Sequence, residues 1–145
     1  MITVVTAGTI NENFVIGDGF GDMVYIFKNQ PDGKILVGGN FESYSGVTTY
    51  YLTRLNQDGS LDETFINGSF LNDYVKAIDL LSDGSILVGG QFNSFNGNQT
   101  NYIVKLNSDG SLNQQFSNGF NGIVRVIKVQ NDDKILVGAE FLGKI

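Results

Sequence analysis

Short runs of apolar and β-branched residues alternate with polar turns along the whole chain. Runs at 24–29, 75–81 and 124–130 each lead through a turn, PDG, SDG or NDD, into a second run at 35–41, 86–92 or 135–141. A third run follows at 50–56 and 102–107, after a loop rich in Ser, Asn and Gly. Because no window shows a sustained apolar period of about 3.6 residues, the pattern predicts an all-β protein with essentially no helix.

These runs belong to an internal repeat. The phrases DGKILVGGNF, DGSILVGGQF and DDKILVGAEF begin at Asp32, Asp83 and Asp132, so the spacings are 51 and then 49 residues. Residues 32–65 align with residues 83–116 without a gap, and 19 of the 34 positions are identical. Three or four short strands in a unit of about fifty residues are typical of one blade of a β-propeller.

The glycine pair in ILVGG and the aromatic residue after it predict close packing. Glycine in a strand often marks a place where a neighbouring backbone approaches closely, as crowded strands near a propeller axis would require. Phe41, Phe92 and Phe141 lie two residues beyond the pair in each copy. We expect these three rings in the core between blades.

The phrase QPDGKILVGGNF at 30–41, followed by RLNQDGSLDETF at 54–65, resembles the delta-60 repeat family of bacterial and phage β-propellers. The resemblance extends from about Gly8 to Phe141, although the third copy has Asp133 and Ala139 in place of two glycines. It implies a propeller without a shared catalytic motif. It also implies a repeat module of large surface proteins or of phage structural and tail proteins.

The repeat predicts one domain over 1–145, with blades at about 23–73 and 74–122 and a third blade split between 123–145 and 1–10. Three blades are too few for a ring, because closed propellers have about four to eight. Two chains joined head to tail would give six blades; the alternative is that the chain is a piece of a longer one. The residues expected to close the ring are Met1, Ile2, Thr3, Val4, Val5, Phe141 and Ile145.

Composition and charge exclude several classes of function. The chain contains no Cys and no His, which removes disulfides, thiolate metal sites and His-dependent catalytic triads. Its net charge of −6 makes nucleic acid an unfavourable partner. Neither a signal peptide nor an apolar run long enough to span a bilayer is present, so we expect no membrane insertion. We expect no cofactor and no metal, and a location in a virion or cell-surface assembly, otherwise in the cytoplasm.

The loop after ILVGG is the candidate binding region. It reads ESYSGVTTY in the first copy and NSFNGNQTN in the second, each with an aromatic residue among Ser, Asn and Gly. Such loops bind sugars when a ring stacks on the pyranose face and amides fix the hydroxyls. The alternative is that the aromatic is a core residue that closes each blade. The candidate binding residues are Tyr44, Ser45, Tyr50, Phe95, Asn96 and Asn98.

Three functions remain open at this point. The first is a non-catalytic structural or interaction module, most plausibly of a phage particle, that forms a homodimer or other homo-oligomer and docks to other virion or surface proteins. The second is a carbohydrate-binding propeller. The third is a glycoside hydrolase that uses paired carboxylates. It is remote, because the acids are mostly turn residues such as Asp32, Asp58, Asp83, Asp109 and Asp132, and Asp79 is the clearest acid on a strand.

Overall fold

The computed structural model describes residues 5–6, 9–10, 17–65, 71–113 and 121–140. Regular structure in these segments is entirely β, which confirms the predicted fold class. In chain order the strands are β1 (Val5–Thr6), β2 (Thr9–Ile10), β3 (Val24–Asn29), β4 (Ile35–Gly39), β5 (Ser43–Tyr44), β6 (Val47–Thr48), β7 (Leu52–Leu55), β8 (Val75–Leu80), β9 (Ile86–Gly90), β10 (Ser94–Phe95), β11 (Asn98–Gln99), β12 (Ile103–Leu106), β13 (Val124–Val129) and β14 (Ile135–Ala139).

Three antiparallel sheets follow one plan and are the propeller blades. The first blade has the strand order β3-β4-β7, the second has β8-β9-β12, and the third contains β13 paired with β14. Leu55 and Leu106 each form a further isolated bridge, to Leu61 and Leu112, directly after the DGS turns. The three sheets do not close into a ring, so the described chain is a partial propeller.

The register of the first two strands is the same in every blade. Val24 lies opposite Gly39, Val75 opposite Gly90 and Val124 opposite Ala139. The register shifts immediately after each of these valines, so the first strand bulges at the same point in all three copies. The identical irregularity shows that the sequence repeat specifies the details of the backbone as well as the strands.

The predicted strands are slightly longer than the observed ones, and the backbone gives the reason. The third run was expected to begin at Tyr50 and at Tyr102, yet β7 and β12 begin later. Tyr50, Tyr51 and Tyr102 have φ values of 46°, 71° and 66°, which lie in the left-handed region and cannot continue a strand. The chain therefore turns at these tyrosines before it enters the third strand.

The two glycines of the pair leave room for different neighbouring groups. A Cβ on Gly38 or Gly89 would meet the side chain of Val75 or Val124, which begins the first strand of the next blade. A Cβ on Gly90 would instead meet the backbone of Tyr74 and Val75 in its own blade. The predicted close approach is therefore confirmed, and the first glycine of the pair sets the distance between blades.

The hydrophobic core lies largely between blades. Leu36 and Leu52 of the first blade pack in one cluster with Val75, Ile78 and Phe92 of the second. A separate cluster joins the second and third blades, and β3, β8 and β13 lie side by side.

The aromatic residue after the glycine pair is buried in the two copies that the structure describes, but the predicted position between blades is confirmed for Phe92 only. Phe92 belongs to the cluster between blades, whereas Phe41 packs with Val37 and Tyr44 in a cluster of the first blade. Phe141 lies outside the described residues. So do Met1, Ile2, Thr3, Val4 and Ile145, which were expected to close the ring. Val5 lies in β1, opposite Ile10.

The Asp-Gly turns are structural, as their sequence indicates. In each, the carboxylate accepts a hydrogen bond from the amide two residues later, at 2.9–3.1 Å, and this holds for Asp32, Asp58, Asp83, Asp109 and Asp132. The third copy has Asp133 where the others have Gly, and it adopts the same left-handed conformation with φ 62°. Its carboxylate accepts a hydrogen bond from the Ser82 amide of the second blade at 3.0 Å.

Candidate functional site

Two short hairpins project from the blades in the loops that the sequence marked as variable. The hairpin β5–β6 belongs to the first blade and β10–β11 to the second. Ser45 and Gly46 both have positive φ, 47° and 81°, and Asn96 and Gly97 have 50° and 78°. Two consecutive positive values define a type I′ turn, for which Asn-Gly is a favoured sequence. Asn96-Gly97 is therefore a hairpin signal within a stretch that was predicted to be a loop.

The aromatic residue of each hairpin is a core anchor. Tyr44 is only 3% exposed and its ring packs on Phe20, with the ring centroids 4.6 Å apart. Its hydroxyl donates a hydrogen bond to the carbonyl of Gly59 at 2.6 Å. Burial, followed by the nearby charge of Asp58, raises the pKa of Tyr44. Phe95 is buried as well and bridges to Leu71.

This burial corrects the expectation that Tyr44 and Phe95 stack on a sugar. Stacking requires an accessible ring face, and both rings are buried in the hydrophobic core. The alternative reading of these positions, a core aromatic that closes the blade, agrees with the structure. Neither ring can form part of a surface binding site.

The other predicted binding residues lie at the surface. Ser45, Asn96 and Asn98 are exposed at the hairpin tips, and Tyr50 is half-buried near the start of the third strand. Val47, at the tip of the first hairpin, is a large apolar side chain with 50% of its surface exposed. The tips, Ser45–Gly46–Val47–Thr48 and Asn96–Gly97–Asn98–Gln99, thus present different side chains from equivalent places in adjacent blades.

Hydrogen bonds hold both hairpins firmly on their blades. The amide of Ser45 donates to the carbonyl of Gly19 at 2.7 Å. In the second blade, the side-chain oxygen of Asn72 accepts from the amides of Asn93 and Ser94 at 3.0 and 3.1 Å. The two tips are therefore displayed on ordered supports.

A cluster of three tyrosines lies where the first blade meets the second. Tyr74 has ring centroids 6.3 Å from Tyr25 and 5.8 Å from Tyr51. The Lys76 ammonium lies 4.5 Å from the Tyr25 centroid and 5.8 Å from that of Tyr74, within range of a cation–π interaction. The Tyr51 hydroxyl donates to Glu42 at 2.6 Å; this hydrogen bond, with burial second, raises the pKa of Tyr51 to about 12.

Sequence reasoning missed this tyrosine cluster, because its members come from three separated segments. Comparison with the next repeat shows that two blades can pack together without the tyrosine cluster. At the next junction, the positions of Tyr25, Tyr51 and Tyr74 are occupied by Lys76, Tyr102 and Ile123. The concentration of tyrosine is therefore specific to one junction.

Asp79, the acid singled out as a hydrolase candidate, is a buried structural carboxylate. It pairs with the Lys28 ammonium of the first blade at 2.9 Å and accepts the Val129 amide of the third at 2.7 Å. Burial alone would raise the pKa of Asp79, but the Val129 amide, the Lys28 side chain and the Leu80 amide outweigh it and hold the pKa below its usual range. A general acid needs a pKa near the operating pH, and Asp79 is shifted the opposite way.

Asp62 of the first blade is held in the same manner. One oxygen accepts from Arg54 at 2.8 Å and from Lys34 at 2.7 Å, and the other accepts from Thr64. Burial opposes ionisation of Asp62, yet these donors lower its pKa well below the usual range. Arg54 also reaches the carbonyl of Ser108 in the second blade at 2.7 Å and lies over the Phe65 ring. This network therefore links two blades.

Two absences hold for the part of the chain that the structure describes. It contains no group of three or more acidic side chains arranged to hold a metal ion. It also contains no helix of the length and hydrophobicity that a membrane crossing requires.

Among the comparisons with known proteins, the match to a family model supports the propeller fold. A family model described as "Domain of unknown function (DUF5122) beta-propeller" matches residues 30–65 and 81–116, the repeats that build most of the first and second blades. No significant match was found among curated proteins or among solved structures. The matched segments contain the two phrases on which the delta-60 resemblance was based, and that resemblance is confirmed. Over these two segments the chain matches the DUF5122 family of repeat β-propellers.

Proposed function

We propose that this protein is a non-catalytic interaction module whose hairpin tips dock to other proteins. The observation that carries the proposal is the pair of tips on adjacent blades, which share a buried aromatic anchor and differ in what they expose. Val47 gives the first tip an apolar contact point, and Asn98 gives the second an amide at the equivalent position. A rigid scaffold that presents variable loops is a common arrangement for binding.

The state of the acidic residues supports a role without catalysis. The turn carboxylates are engaged by their own backbone, and Asp62 and Asp79 are engaged by cations and amides. Hydrogen bonds and nearby cations hold the pKa values of six carboxyls below their usual range: Asp58, Asp62, Asp79, Asp83, Asp109 and Glu140. These groups stay ionised near neutral pH, which suits structural ion pairs better than proton transfer.

The biological setting that we propose is an assembled surface, most plausibly a phage virion. Its support is the family resemblance, because delta-60 repeats resemble modules of surface proteins and of phage tail and structural proteins. An acidic, repeat-built chain that displays loops on a rigid frame fits such a component. The partners in this proposal are other virion or surface proteins.

The test is an affinity capture from the native source, in which the chain is compared with its Val47→Asp variant. Val47 is exposed, so the variant should keep the circular dichroism spectrum of the wild type. Asp132→Asn, in an exposed turn of the third blade, is the control. Proteins retained by the wild type and the control but lost with Val47→Asp would support docking through the tip. Identical capture by all three chains would count against it.

Glycan binding is a second candidate, and the tyrosine cluster is the observation that favours it. Tyr25 is 39% exposed beside Lys76, and Tyr51 and Tyr74 are half-buried next to it. Aromatic faces with adjacent polar groups suit a sugar ring. Binding on a glycan array that is lost in Tyr25→Ala but kept in Tyr50→Ala would favour this cluster over the loop predicted from sequence. An array with no hit would reject the candidate.

A further inference from the structure

The two junctions inside the chain are built from the same set of positions. At the first junction, Leu36 and Gly38 face Val75 and Ile78 of the following blade, and all these side chains are buried. At the second junction, Leu87 and Gly89 meet the equivalent residues, Val124 and Ile127. Each blade therefore has a trailing side, which carries the leucine and glycine, and a leading side, which carries the valine and the residue three positions later.

At the two outer sides of the three-blade unit, the side chains at these positions are exposed to solvent. Leu136, equivalent to the fully buried Leu36 and Leu87, is 55% exposed. Val126, equivalent to the buried Ala77, is 58% exposed, and it lies beside Gly138. We call Val126, Leu136 and Gly138 the trailing face.

The opposite outer side also exposes apolar residues whose equivalents are buried in the other blades. Phe27 of the first blade is 56% exposed, whereas its equivalents Ile78 and Ile127 are buried. Val24, equivalent to the fully buried Val75 and Val124, is only half-buried. We call Val24 and Phe27 the leading face. The two faces are the separated halves of the contact that the chain makes twice within itself.

We propose that the trailing face of one copy packs on the leading face of a second copy, at both ends, to form a closed ring of six blades. Inside the chain, a trailing side always packs on a leading side. The exposed trailing face therefore fits a leading face, and the exposed leading face fits a trailing face, so a second copy supplies the partner of both. Closed propellers have about four to eight blades, so two three-blade units fit and three units do not. A head-to-tail contact that closes with two copies has two-fold symmetry.

The junction between copies differs from the first internal junction in one charge pair. Lys28 pairs with Asp79 across the first junction at 2.9 Å. At the junction between copies, the equivalent positions are Lys128 of one copy and Lys28 of the other, so like charges lie near each other. Lys128→Gln removes that repulsion and should tighten association roughly two- to fivefold, since an exposed charge pair has a small effect.

The first measurement is the mass of the 145-residue chain in solution, by light scattering after size exclusion and by sedimentation over a range of concentrations. The proposal expects twice the 15.8 kDa mass of one chain. Leu136→Glu and Phe27→Glu should each weaken association at least about 100-fold, because each places a charge in an apolar contact. Val47→Glu changes an equally exposed apolar side chain outside both faces and should leave the mass doubled.

A mixing experiment separates head-to-tail packing from other modes of association. Leu136→Glu retains an intact leading face and Phe27→Glu an intact trailing face, so one native junction can form only between the two variants. Each variant alone should be monomeric with a native circular dichroism spectrum, and the mixture should contain a heterodimer. A monomeric wild type, or unchanged association in either variant, would overturn the proposal. So would the lack of a heterodimer in the mixture.

This inference does not depend on what the hairpin tips bind. Val47→Asp tests the tips and leaves both faces intact, whereas Leu136→Glu changes one face and leaves the tips intact. Loss of docking with retained association, or the reverse, would show which of the two proposals fails.

Discussion

The first glycine of each ILVGG phrase offers a direct test of how one blade packs on the next. A Cβ built on Gly89 would lie 2.4 Å from Cγ1 of Val124 and 2.9 Å from Cδ1 of Ile127. Carbon atoms in favourable contact are about 3.5–4.0 Å apart, so Gly89→Ala forces the two blades to separate or two buried side chains to move. Overpacking of this kind costs about 1–3 kcal/mol.

We expect a loss at the upper end of that range, about 3 kcal/mol, because both obstructing side chains are buried and one is β-branched. For a chain of this size, the loss corresponds to a fall of roughly 10 °C in the unfolding midpoint. Thermal unfolding followed by circular dichroism, together with urea titration, measures both quantities.

The matched control is Gly138→Ala, at the same position in the third blade. There the new Cβ would lie 2.7 Å from Cγ1 of Val126, a side chain that is 58% exposed and can move towards solvent. Both changes are made in the Leu136→Glu background, so that association does not contribute. The control should change the free energy of unfolding by no more than about 0.5 kcal/mol. An equal loss in both variants would refute the argument that this glycine sets the distance between blades.

Three further substitutions test contacts that join the blades or anchor a hairpin. Asp79→Asn should lower the free energy of unfolding by about 1–3 kcal/mol at pH 7 in urea titration. The folded pKa of Asp79 is lowered, so its stabilisation is present above the unfolded pKa of about 3.9 and is lost as pH falls through the folded value; a difference from wild type that persists at low pH would contradict this. Tyr44→Phe should cost about 1 kcal/mol by removing the donor to Gly59, and no loss would show that water replaces it. Arg54→Lys should cost about 1–2 kcal/mol in the same assay, because lysine cannot bond Asp62 and Ser108 together as arginine does; full stability would show that the contact with the second blade is dispensable.

The sequence predicted the blades because their signals are local and repeated. Alternating apolar residues, Asp-Gly turns and the glycine pair each specify a backbone conformation over a few residues. The tyrosines that precede the third strands were assigned to those strands because their composition suits a strand. Their left-handed backbone depends on the tight turn that the hairpin imposes, which the pattern of residue types does not show.

The candidate site was harder to predict, because it depends on the direction of side chains and on contacts between blades. The phrases ESYSG and NSFNG show an aromatic in a polar loop, but they do not show that Tyr44 and Phe95 point into the core. The tyrosine cluster joins Tyr25, Tyr51 and Tyr74 only after two blades have packed together. Information of this kind lies in the tertiary structure and has no local signal.

The position of Asp79 between two blades has a consequence for the dynamics of the chain. Through this carboxylate the second blade is tied to the first by an ion pair and to the third by a backbone hydrogen bond. In a linear array, a unit with two neighbours opens only if both interfaces open, whereas an outer unit breaks one. In the monomeric Leu136→Glu variant, native-state hydrogen exchange should therefore be slowest for the amides of β8 and β9 and faster in β13 and β14, because that open arc frays from its ends towards its middle.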